Sequence, residues 1–251
     1  MAARRRLDAE LLRRGLTSSR AQAQDLVDAG RVLVNGAIAD KPARLVAPGD
    51  NLVIAGPPAR FVGRGGEKLD GALDHFAIDV RGWRVLDCGA STGGFTDCLL
   101  SRGAAEVVAL DVGHGQLHPK LRGDRRVLVL ERTNIRHTTS AIIGGPVDAA
   151  VADVSFISLT TVIPTLSALC KPGRAMVLLV KPQFEAGRVE VSRGRGIVTD
   201  PKIHDRVRDE IDAALHDAGC DVLGWMDSPL LGGEGNKEFL VHARTPGADA
   251  S

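Results

Sequence analysis

Strand-like and helical segments alternate along the chain from residue 83 onward, and this alternation constrains the fold more than any other feature. Short apolar runs predict seven strands, at residues 83–87, 106–111, 127–131, 147–153, 175–181, 221–227 and 238–243. Helical segments lie between most of them, for instance at residues 94–102, 158–170 and 202–218. Strands that alternate with helices build a doubly wound, mostly parallel sheet. The expected class is therefore α/β, with a Rossmann-like sheet.

Residues 4–58 follow a different pattern, in which two short helices precede several short strands. A left-handed cap at Gly15 is expected to end the first helix, and Ser19–Gln22 has the pattern of a capping box that opens the second. An Asn-Gly turn at Asn35–Gly36 is expected to close the first strand. The run from Ser19 to Gly36 resembles the S4 RNA-binding domain. We therefore expect a small α+β domain here.

Composition suggests where the remaining boundaries lie. Residues 59–64 follow a Gly-Pro-Pro run and are expected to be an interdomain linker. The α/β domain is then expected to occupy residues 65–244. The last residues, 245–251, are expected to form a disordered tail.

Basic residues are concentrated at the front of the chain. The formal net charge is only +1, but residues 1–60 hold ten Lys and Arg against six Asp and Glu. A basic module joined to a mildly acidic body suggests that the module binds an anionic partner. The arginines expected to contact RNA are Arg4, Arg6, Arg14, Arg20, Arg64, Arg188 and Arg193. For each arginine taken alone, a solvated surface position is an equally good interpretation.

A glycine-rich loop, Leu86–Thr96, follows the first predicted strand of the α/β domain. Glycines at such a turn let the backbone approach a ligand closely, but the G-x-G-x-x-G spacing of dinucleotide sites is absent. Asp87 would repel a pyrophosphate, whereas it suits the cationic amino-acid part of S-adenosylmethionine. Asp111 ends the second strand, where a carboxylate can accept hydrogen bonds from both ribose hydroxyls of an adenosyl cofactor. The alternative is a strand–turn–helix unit that binds no ligand.

The full set of residues expected to bind this cofactor combines the loop with the ends of later strands. Asn134 is included because it follows the third strand, where it is placed to contact the adenine edge. The set comprises Asp87, Gly89, Ala90, Ser91, Gly93, Gly94, Phe95, Thr96, Asp111, Val112, Asn134 and Asp153.

Four charged residues form a second constellation. Asp153 and Lys181 follow predicted strands, Glu238 begins the last strand, and Lys68 lies at the front of the domain. Ligands bind beyond the carboxyl ends of parallel strands, so Asp153 and Lys181 are expected beside the cofactor. The set suits methylation of a sugar hydroxyl, which must lose its proton as it attacks the methyl group. We expect Lys181 to assist deprotonation, Lys68 to stabilise the alkoxide, and the two acids to orient the lysines.

These residues allow two other interpretations. Lys181 could be a surface lysine that pairs with a local acid. Methylation of a base would instead require an N-P-P-[YF] motif or a catalytic cysteine. The sequence has no N-P-P-[YF] run, and Cys88 lies inside the glycine-rich loop.

The cysteines and the apolar runs limit which other classes of protein remain. None of the four cysteines forms a C-x-x-C pair, so no metal site is expected and the thiols are expected to be reduced and mostly buried. The N-terminus lacks the apolar region of a secretory signal. No apolar run approaches the roughly 20 residues that span a bilayer. A monomeric, cytoplasmic protein without stable membrane insertion is expected.

The sequence resembles the TlyA family of ribosomal RNA methyltransferases, also known as hemolysin A-like proteins. The matching runs are the S4-like front, Gly63–Leu69, Asp87–Thr96, Asp111–Leu117, Glu131–Asn134, Asp153–Ser158, Val180–Glu185, Ser228–Pro229 and Gly235–Glu238. The resemblance implies an FtsJ-like methyltransferase domain over residues 65–244 whose last strand is antiparallel. It implies S-adenosylmethionine-dependent 2′-O-methylation of cytidines in the rRNA of the small or large ribosomal subunit, or both. It also implies that Lys68, Asp153, Lys181 and Glu238 match the family's catalytic tetrad.

Two hypotheses from other classes compete with this one. A membrane-active hemolysin is suggested by the family's second name, but the sequence has no strongly amphipathic apolar segment that would insert into a bilayer. An S4-type RNA-binding protein with an inactive methyltransferase fold is the other. The presence of Asp87, Asp111, Lys181 and Glu238 argues against it.

Overall fold

The computed structural model describes residues 4–17, 19–56, 59–194, 196–232 and 235–248. The chain divides into two compact units, Met1–Arg64 and Gly65–Ser251. Each unit has its own buried apolar core.

The first unit packs two short helices against small sheets. Its elements are β1 (Arg5–Arg6), α1 (Leu7–Arg13), α2 (Arg20–Asp28), β2 (Val32–Val34), β3 (Ala37–Ile38), β4 (Leu45–Val46) and β5 (Leu52–Ile54). Strand β2 lies between β3 and β5 in an antiparallel sheet, and β1 pairs with β4. Leu7, Leu11 and Val27 of the helices share one buried cluster with Val32 and Val34 of β2. This is the expected α+β arrangement.

Local sequence signals set the ends of these elements. Ser19 Oγ accepts a hydrogen bond from the backbone N–H of Gln22 at 3.1 Å, which caps the start of α2. Asn35 and Gly36 have φ of 54° and 84°, the left-handed conformation that a tight hairpin turn requires. The turn fixes the register of β2 and β3, in which Val34 pairs with Ala37.

A seven-stranded sheet forms the centre of the second unit. Its strands are β6 (Arg84–Cys88), β7 (Glu106–Leu110), β8 (Val127–Leu130), β9 (Val147–Ala152), β10 (Cys170–Val180), β11 (Asp221–Asp227) and β12 (Phe239–Arg244). Their spatial order is β11-β12-β10-β9-β6-β7-β8. Strand β12 is antiparallel to both of its neighbours, whereas the pairs from β10 to β8 are parallel. The expected doubly wound sheet with an antiparallel last strand is confirmed.

Helices of varied length connect these strands. They are α3 (Gly65–His75), α4 (Gly94–Ser101), α5 (Pro119–Arg122), α6 (Leu159–Leu169), α7 (Pro182–Glu185), α8 (Arg188–Arg193), α9 (Pro201–Asp217) and a 3-10 turn, Ile135–His137. The central strands are buried on both faces: Leu86 and Val108 point to one face of the sheet, Val85 and Val107 point to the other, and all four are 0% exposed. Such strands are expected to be continuously apolar, which explains why the sequence revealed them.

The strand order changes direction at β6, and this position determines where a ligand can bind. Strand β6 has β7 on one side and β9 on the other. Cys88, the last residue of β6, pairs with Leu110 of β7 and with Ala152 of β9. The residues that follow these strands, Gly89, Asp111 and Asp153, therefore meet at one edge of the sheet. A crevice at such a switch point is the usual ligand site of open α/β sheets.

Two segments differ from the sequence expectation. The glycines of segment 187–196 are typical of a loop, but residues Arg188–Arg193 form α8. Thr245, placed in the expected tail, is buried, and its Oγ1 accepts a hydrogen bond from the Arg174 N–H at 2.8 Å. The folded domain therefore extends beyond β12, and the last three residues of the expected tail lie outside the described part of the chain.

The structure also shows the state of the cysteines, the arrangement of possible metal ligands and the character of the helices. Cys88, Cys98, Cys170 and Cys220 are all free and buried, as expected. Within the ranges described, no group of three or more His, Cys, Asp or Glu residues is arranged to hold a metal ion. No helix in those ranges combines the length and the apolar character needed to cross a membrane.

Candidate active site

Gly89 brings the end of β6 against the end of β9. Its φ is 86°, and a Cβ atom added there would overlap the backbone carbonyl of Asp153. The approach is held by hydrogen bonds from the Gly89 N–H to the Leu110 carbonyl at 2.8 Å and from the Asp153 N–H to the Cys88 carbonyl at 2.9 Å. Only glycine satisfies both the conformation and the space.

Asp111 presents a fixed carboxylate at the end of β7. Its Oδ2 accepts a hydrogen bond from the Ser91 N–H at 2.7 Å, and its Oδ1 accepts one from the Gly113 N–H at 2.6 Å. Each oxygen retains a second lone pair, so the carboxylate can still accept hydrogen bonds from a ligand. The loops on both sides of Asp111 thus orient it without using up its acceptor capacity.

A cavity of about 600 Å³ opens beside this carboxylate. Half of the predicted cofactor residues line it, namely Gly89, Ser91, Asp111, Val112, Asn134 and Asp153. Gln116 also lines the cavity, and its Oε1 accepts a hydrogen bond from Ser91 Oγ at 3.2 Å. The volume lies within the range of small-molecule and cofactor sites, about 300–1,000 Å³.

The other predicted cofactor residues lie behind the cavity wall. Ala90, Gly94, Phe95 and Thr96 are buried, and Gly93 caps α4, so these residues hold the loop and the helix in place. Asp87 is completely buried, and Thr96 Oγ1 donates a hydrogen bond to its Oδ2 at 2.6 Å. Burial, together with the nearby carboxylate of Asp153, raises the pKa of Asp87 to about 7.

The second constellation forms two ion pairs. Lys181 Nζ lies 2.5 Å from Asp153 Oδ1 and donates a hydrogen bond to Ser155 Oγ at 3.0 Å. Lys68 on α3 pairs with Glu238 before β12, and both side chains are buried. The four charged residues of this constellation are therefore arranged as one partly exposed pair and one buried pair.

A second cavity, of about 390 Å³, lies on the other side of Lys181. Its lining consists of Ser155, Phe156, Lys181, Gln183, Phe184, Val191, Gly196 and Glu238. Ser155 and Phe156 line both cavities. Since Asp153 lines the first cavity and Lys181 the second, their ion pair stands at the border between the two.

Phe156 is the most unusual side chain at this border. It is 92% exposed and has a φ of 65°, a conformation that bulky residues rarely adopt. Its ring centroid lies 5.1 Å from that of Phe184. An exposed ring held in a strained conformation beside a cavity suggests a functional contact.

The sequence interpretation missed Ser155, Phe156, Gln116 and Gln183. Ser155 and Phe156 directly follow Asp153, so their closeness to the site could have been noticed. Whether Phe156 points outward depends on its positive φ, for which the sequence offers no signal. The two glutamines are ordinary polar residues in sequence, and only the fold brings them to cavities.

The predicted RNA-contacting arginines occupy different environments. Arg6 and Arg20 each place an Nη2 atom 2.9 Å from Oδ2 of the buried Asp8, while both guanidiniums remain about half exposed. Arg14 is bound to Glu10 and donates to the backbone carbonyls of Ala47, Pro48 and Asp50.

The other four predicted arginines lie at separate places along the chain. Arg4 is exposed, and Arg64 is the last residue of the first unit. The side chains of Arg188 and Arg193 lie outside the described part of the structure.

Two buried carboxylates, Asp8 and Glu10, organise these arginines. Hydrogen bonds from Arg6 keep the pKa of Asp8 well below its usual value, and those from Arg13 lower the pKa of Glu10 to about 2. Both acids therefore remain ionised at neutral pH. Arg14 supports the fold of the first unit, whereas Arg6 and Arg20 present donors to solvent.

Comparison with known proteins follows the same division of the chain. A family model for FtsJ-like methyltransferases matches residues 61–245, and a model for the S4 domain matches residues 5–52. The chain is 50% identical over 246 residues to the 16S/23S rRNA (cytidine-2′-O)-methyltransferase TlyA of Mycobacterium tuberculosis, covering 98% of this chain and 91% of the relative. It is 40% identical to Hemolysin A of Brachyspira hyodysenteriae, over 94% of this chain and 98% of the relative.

A solved structure supports the assignment over the whole length. It is a Streptococcus thermophilus protein whose description contains the word hemolysin, with 41% identity and a TM-score of 0.78, covering 100% of this chain and 92% of the other. On these matches, the chain belongs to the TlyA family of FtsJ-like methyltransferases, with an S4 domain at its front.

Proposed function

We propose that this protein uses S-adenosylmethionine to methylate the 2′-hydroxyl of cytidine in ribosomal RNA. The observation that carries the proposal is the position of the Asp153–Lys181 ion pair, which separates a cofactor-sized cavity from a second, smaller one. A methyl donor in the first cavity and a nucleoside in the second would meet at this pair. The relative from M. tuberculosis, whose name specifies rRNA cytidine-2′-O-methylation, supports the same assignment.

The residues of the first cavity fit an adenosyl cofactor. Asp111 offers the acceptor oxygens that a ribose diol needs, and Gly89 leaves room where a side chain would block the loop. Asn134 stands beyond the third strand, in the position expected for contact with an adenine edge. When bound, S-adenosylmethionine supplies an electrophilic methyl group on a sulfonium centre.

Lys181 and its partners act on the acceptor hydroxyl. In its neutral form, Lys181 Nζ accepts the proton that the 2′-hydroxyl loses as the oxygen attacks the methyl group. Asp153 and Ser155 hold that amine at the border of the two cavities, 2.5 Å and 3.0 Å from its nitrogen. The buried Lys68–Glu238 pair fixes Glu238 in the wall of the second cavity. Because the charges of Lys68 and Glu238 compensate one another, we expect Lys68 to position Glu238.

The first unit supplies affinity for RNA. Arg4, Arg6 and Arg20 present guanidinium donors, and Asp8 holds two of them in defined positions. Guanidinium groups held in this way can contact phosphates without loss of side-chain freedom on binding. The S4 match over residues 5–52 supports this role.

Transfer of labelled methyl groups to separated ribosomal subunits tests the proposal. Purified full-length protein is incubated with tritiated S-adenosylmethionine and with small or large subunits that lack the modification. We expect cofactor-dependent label in the rRNA of at least one subunit. Absence of label from both, with a protein that binds the cofactor, would contradict the proposal.

A further inference from the structure

One polar group in the second cavity has no part in the chemistry described above. Gln183 lines the cavity two residues after Lys181, and its Oε1 is buried without a hydrogen-bond partner among the described residues. Burial has removed the hydrogen bonds of this amide oxygen to water, and no hydrogen bond from a described residue replaces them. Native proteins retain few such groups, and they call for an explanation, such as a ligand.

The other polar side chains in the wall of this cavity are already paired. Lys181 contacts Asp153, Ser155 accepts a hydrogen bond from Lys181, and Glu238 pairs with Lys68. Of the polar side chains that the structure describes in this wall, Gln183 is therefore the one that remains to recognise what enters the cavity. Rotation about its last side-chain torsion is soft, and it breaks no hydrogen bond of the oxygen.

The rest of the wall suits a flat, aromatic ligand. Phe156 and Phe184 place their rings 5.1 Å apart, and Val191 adds an apolar side chain. Any nucleobase can stack on such rings, because every base has a flat aromatic face. Stacking would hold a base in the cavity without distinguishing one base from another.

We infer that Gln183 selects the acceptor nucleotide by accepting a hydrogen bond from the exocyclic amine of its base. Cytosine carries this amine donor, whereas uracil has a carbonyl oxygen at the same position. An amide oxygen facing that carbonyl would set two acceptors against each other. Gln183 is thus a specificity-determining residue for cytidine over uridine, an inference that rests on the proposed function of the site.

The test compares two substrates that differ in one base. Ribosomal subunits are prepared with the mapped target cytidine or with uridine at that position, and kcat/KM for methyl transfer is measured on each. The wild-type protein is expected to prefer cytidine by roughly 10–100-fold, the range of one good base contact. Gln183→Leu is expected to bring the ratio close to one by slowing transfer to cytidine and leaving transfer to uridine nearly unchanged.

Two further variants separate base recognition from a loss of structure. Gln183→Glu keeps an acceptor oxygen and is expected to retain the preference for cytidine even if the absolute rate falls. Gln116→Leu removes a glutamine from the wall of the first cavity. It is expected to weaken cofactor binding and to leave the cytidine-to-uridine ratio as in the wild type.

The outcomes distinguish a failure of this inference from a failure of the proposed function on which it rests. If the wild-type protein methylates cytidine selectively and Gln183→Leu keeps the same ratio, the role of Gln183 is overturned while the proposed function stands. Equal transfer to uridine and cytidine by the wild type also overturns the role of Gln183. If the wild-type protein methylates neither substrate, both the inference and the proposed function are overturned.

Discussion

Lys181 touches both Asp153 and Ser155 at the border of the two cavities, so its removal should affect transfer rather than cofactor binding. We expect Lys181→Ala to lower the rate of methyl transfer by about 10²–10⁴-fold, the contribution of a positioned acid or base. The affinity for S-adenosylmethionine should stay within a few-fold of the wild type, because Asp111 and Gly89 are unchanged. Single-turnover kinetics and calorimetric titration measure the two quantities.

A matched control for this variant is Lys237→Ala. Lys237 also forms an ion pair, with Asp227 at 2.9 Å, but it lines neither cavity. Its removal should leave methyl transfer nearly unchanged. A Lys181→Ala protein as active as Lys237→Ala would show that Lys181 does not assist the proton transfer.

Asp87 makes the stability of the methyltransferase domain depend on pH. Its pKa in the folded protein, about 7, lies above the usual value near 4 because the carboxyl is buried. The folded state therefore retains a proton that the unfolded state releases, so stability falls as pH rises from about 4 to 7. A pKa raised from about 4 to about 7 corresponds to roughly 4 kcal/mol of stability in total.

Replacing Asp87 by Asn tests this linkage. We expect the wild-type protein to lose about 2–3 kcal/mol more unfolding free energy than Asp87→Asn between pH 5 and pH 8. Denaturant unfolding at the two pH values, without cofactor, measures the difference. Parallel pH profiles for the two proteins would mean that Asp87 ionises as readily in the folded state as in the unfolded one.

The sequence predicted the charged residues of the site better than their arrangement. Asp153 and Lys181 could be found because each follows an apolar strand, and parallel strands place such residues at one edge. The Lys68–Glu238 pair joins residues 170 positions apart, and nothing local in the sequence indicates that contact. The role of Gln183 depends on the cavity that it lines, and the sequence does not reveal that cavity. The sequence placed Asp87 in contact with the cofactor, whereas the structure buries it behind the wall.

Among the connecting elements, the loop between β6 and α4 depends on a close approach that one methyl group would prevent. Gly89→Ala adds a Cβ atom that overlaps the Asp153 carbonyl, in addition to the strain of a positive φ. Gly173 also has a positive φ, 68°, but its added Cβ would meet open space. The pair of variants therefore separates strain from collision.

We expect Gly173→Ala to cost about 1–2 kcal/mol, the penalty of the left-handed conformation. Gly89→Ala should cost more than this and should also weaken cofactor binding at least tenfold, because the loop must move away from β9. Denaturant unfolding and calorimetric titration measure both effects. Equal losses of stability in the two variants, with full cofactor affinity in each, would contradict the close approach.

Long apolar elements were predictable, and short ones were not. The strands of the central sheet are buried on both faces, so their composition alone reveals them. Helices α5, α7 and α8 have only four to six residues. Helices that short are unstable in isolation and owe their stability to tertiary contacts. The segment of α8 therefore has the sequence of a loop, although it folds as a helix.

On the scale of the whole molecule, RNA binding should depend on the first unit and on salt. Each arginine that contacts a phosphate contributes about one to the slope of log K against log salt concentration. We expect the double variant Arg4→Ala and Arg20→Ala to bind ribosomal subunits more weakly and with a slope smaller by about two. Binding measured between about 50 and 200 mM salt gives the slope.

Two controls accompany this measurement. Arg81→Ala removes an arginine of the second unit that is 77% exposed and pairs with Asp79, and it should leave the slope unchanged. Arg14→Ala should mainly destabilise the first unit, since Arg14 holds the backbone at residues 47–50. A double variant with the same slope as Arg81→Ala would remove Arg4 and Arg20 from the recognition surface.

The position of the transferred methyl group tests the central claim most directly. Ribosomal subunits methylated by the full-length protein are digested to nucleosides, and mass spectrometry locates the methyl group on the ribose or on the base. Two cavities meet at the Asp153–Lys181 ion pair, and we expect this arrangement to give 2′-O-methylcytidine as the product. A methyl group on a base, or none despite intact cofactor binding, would contradict the account.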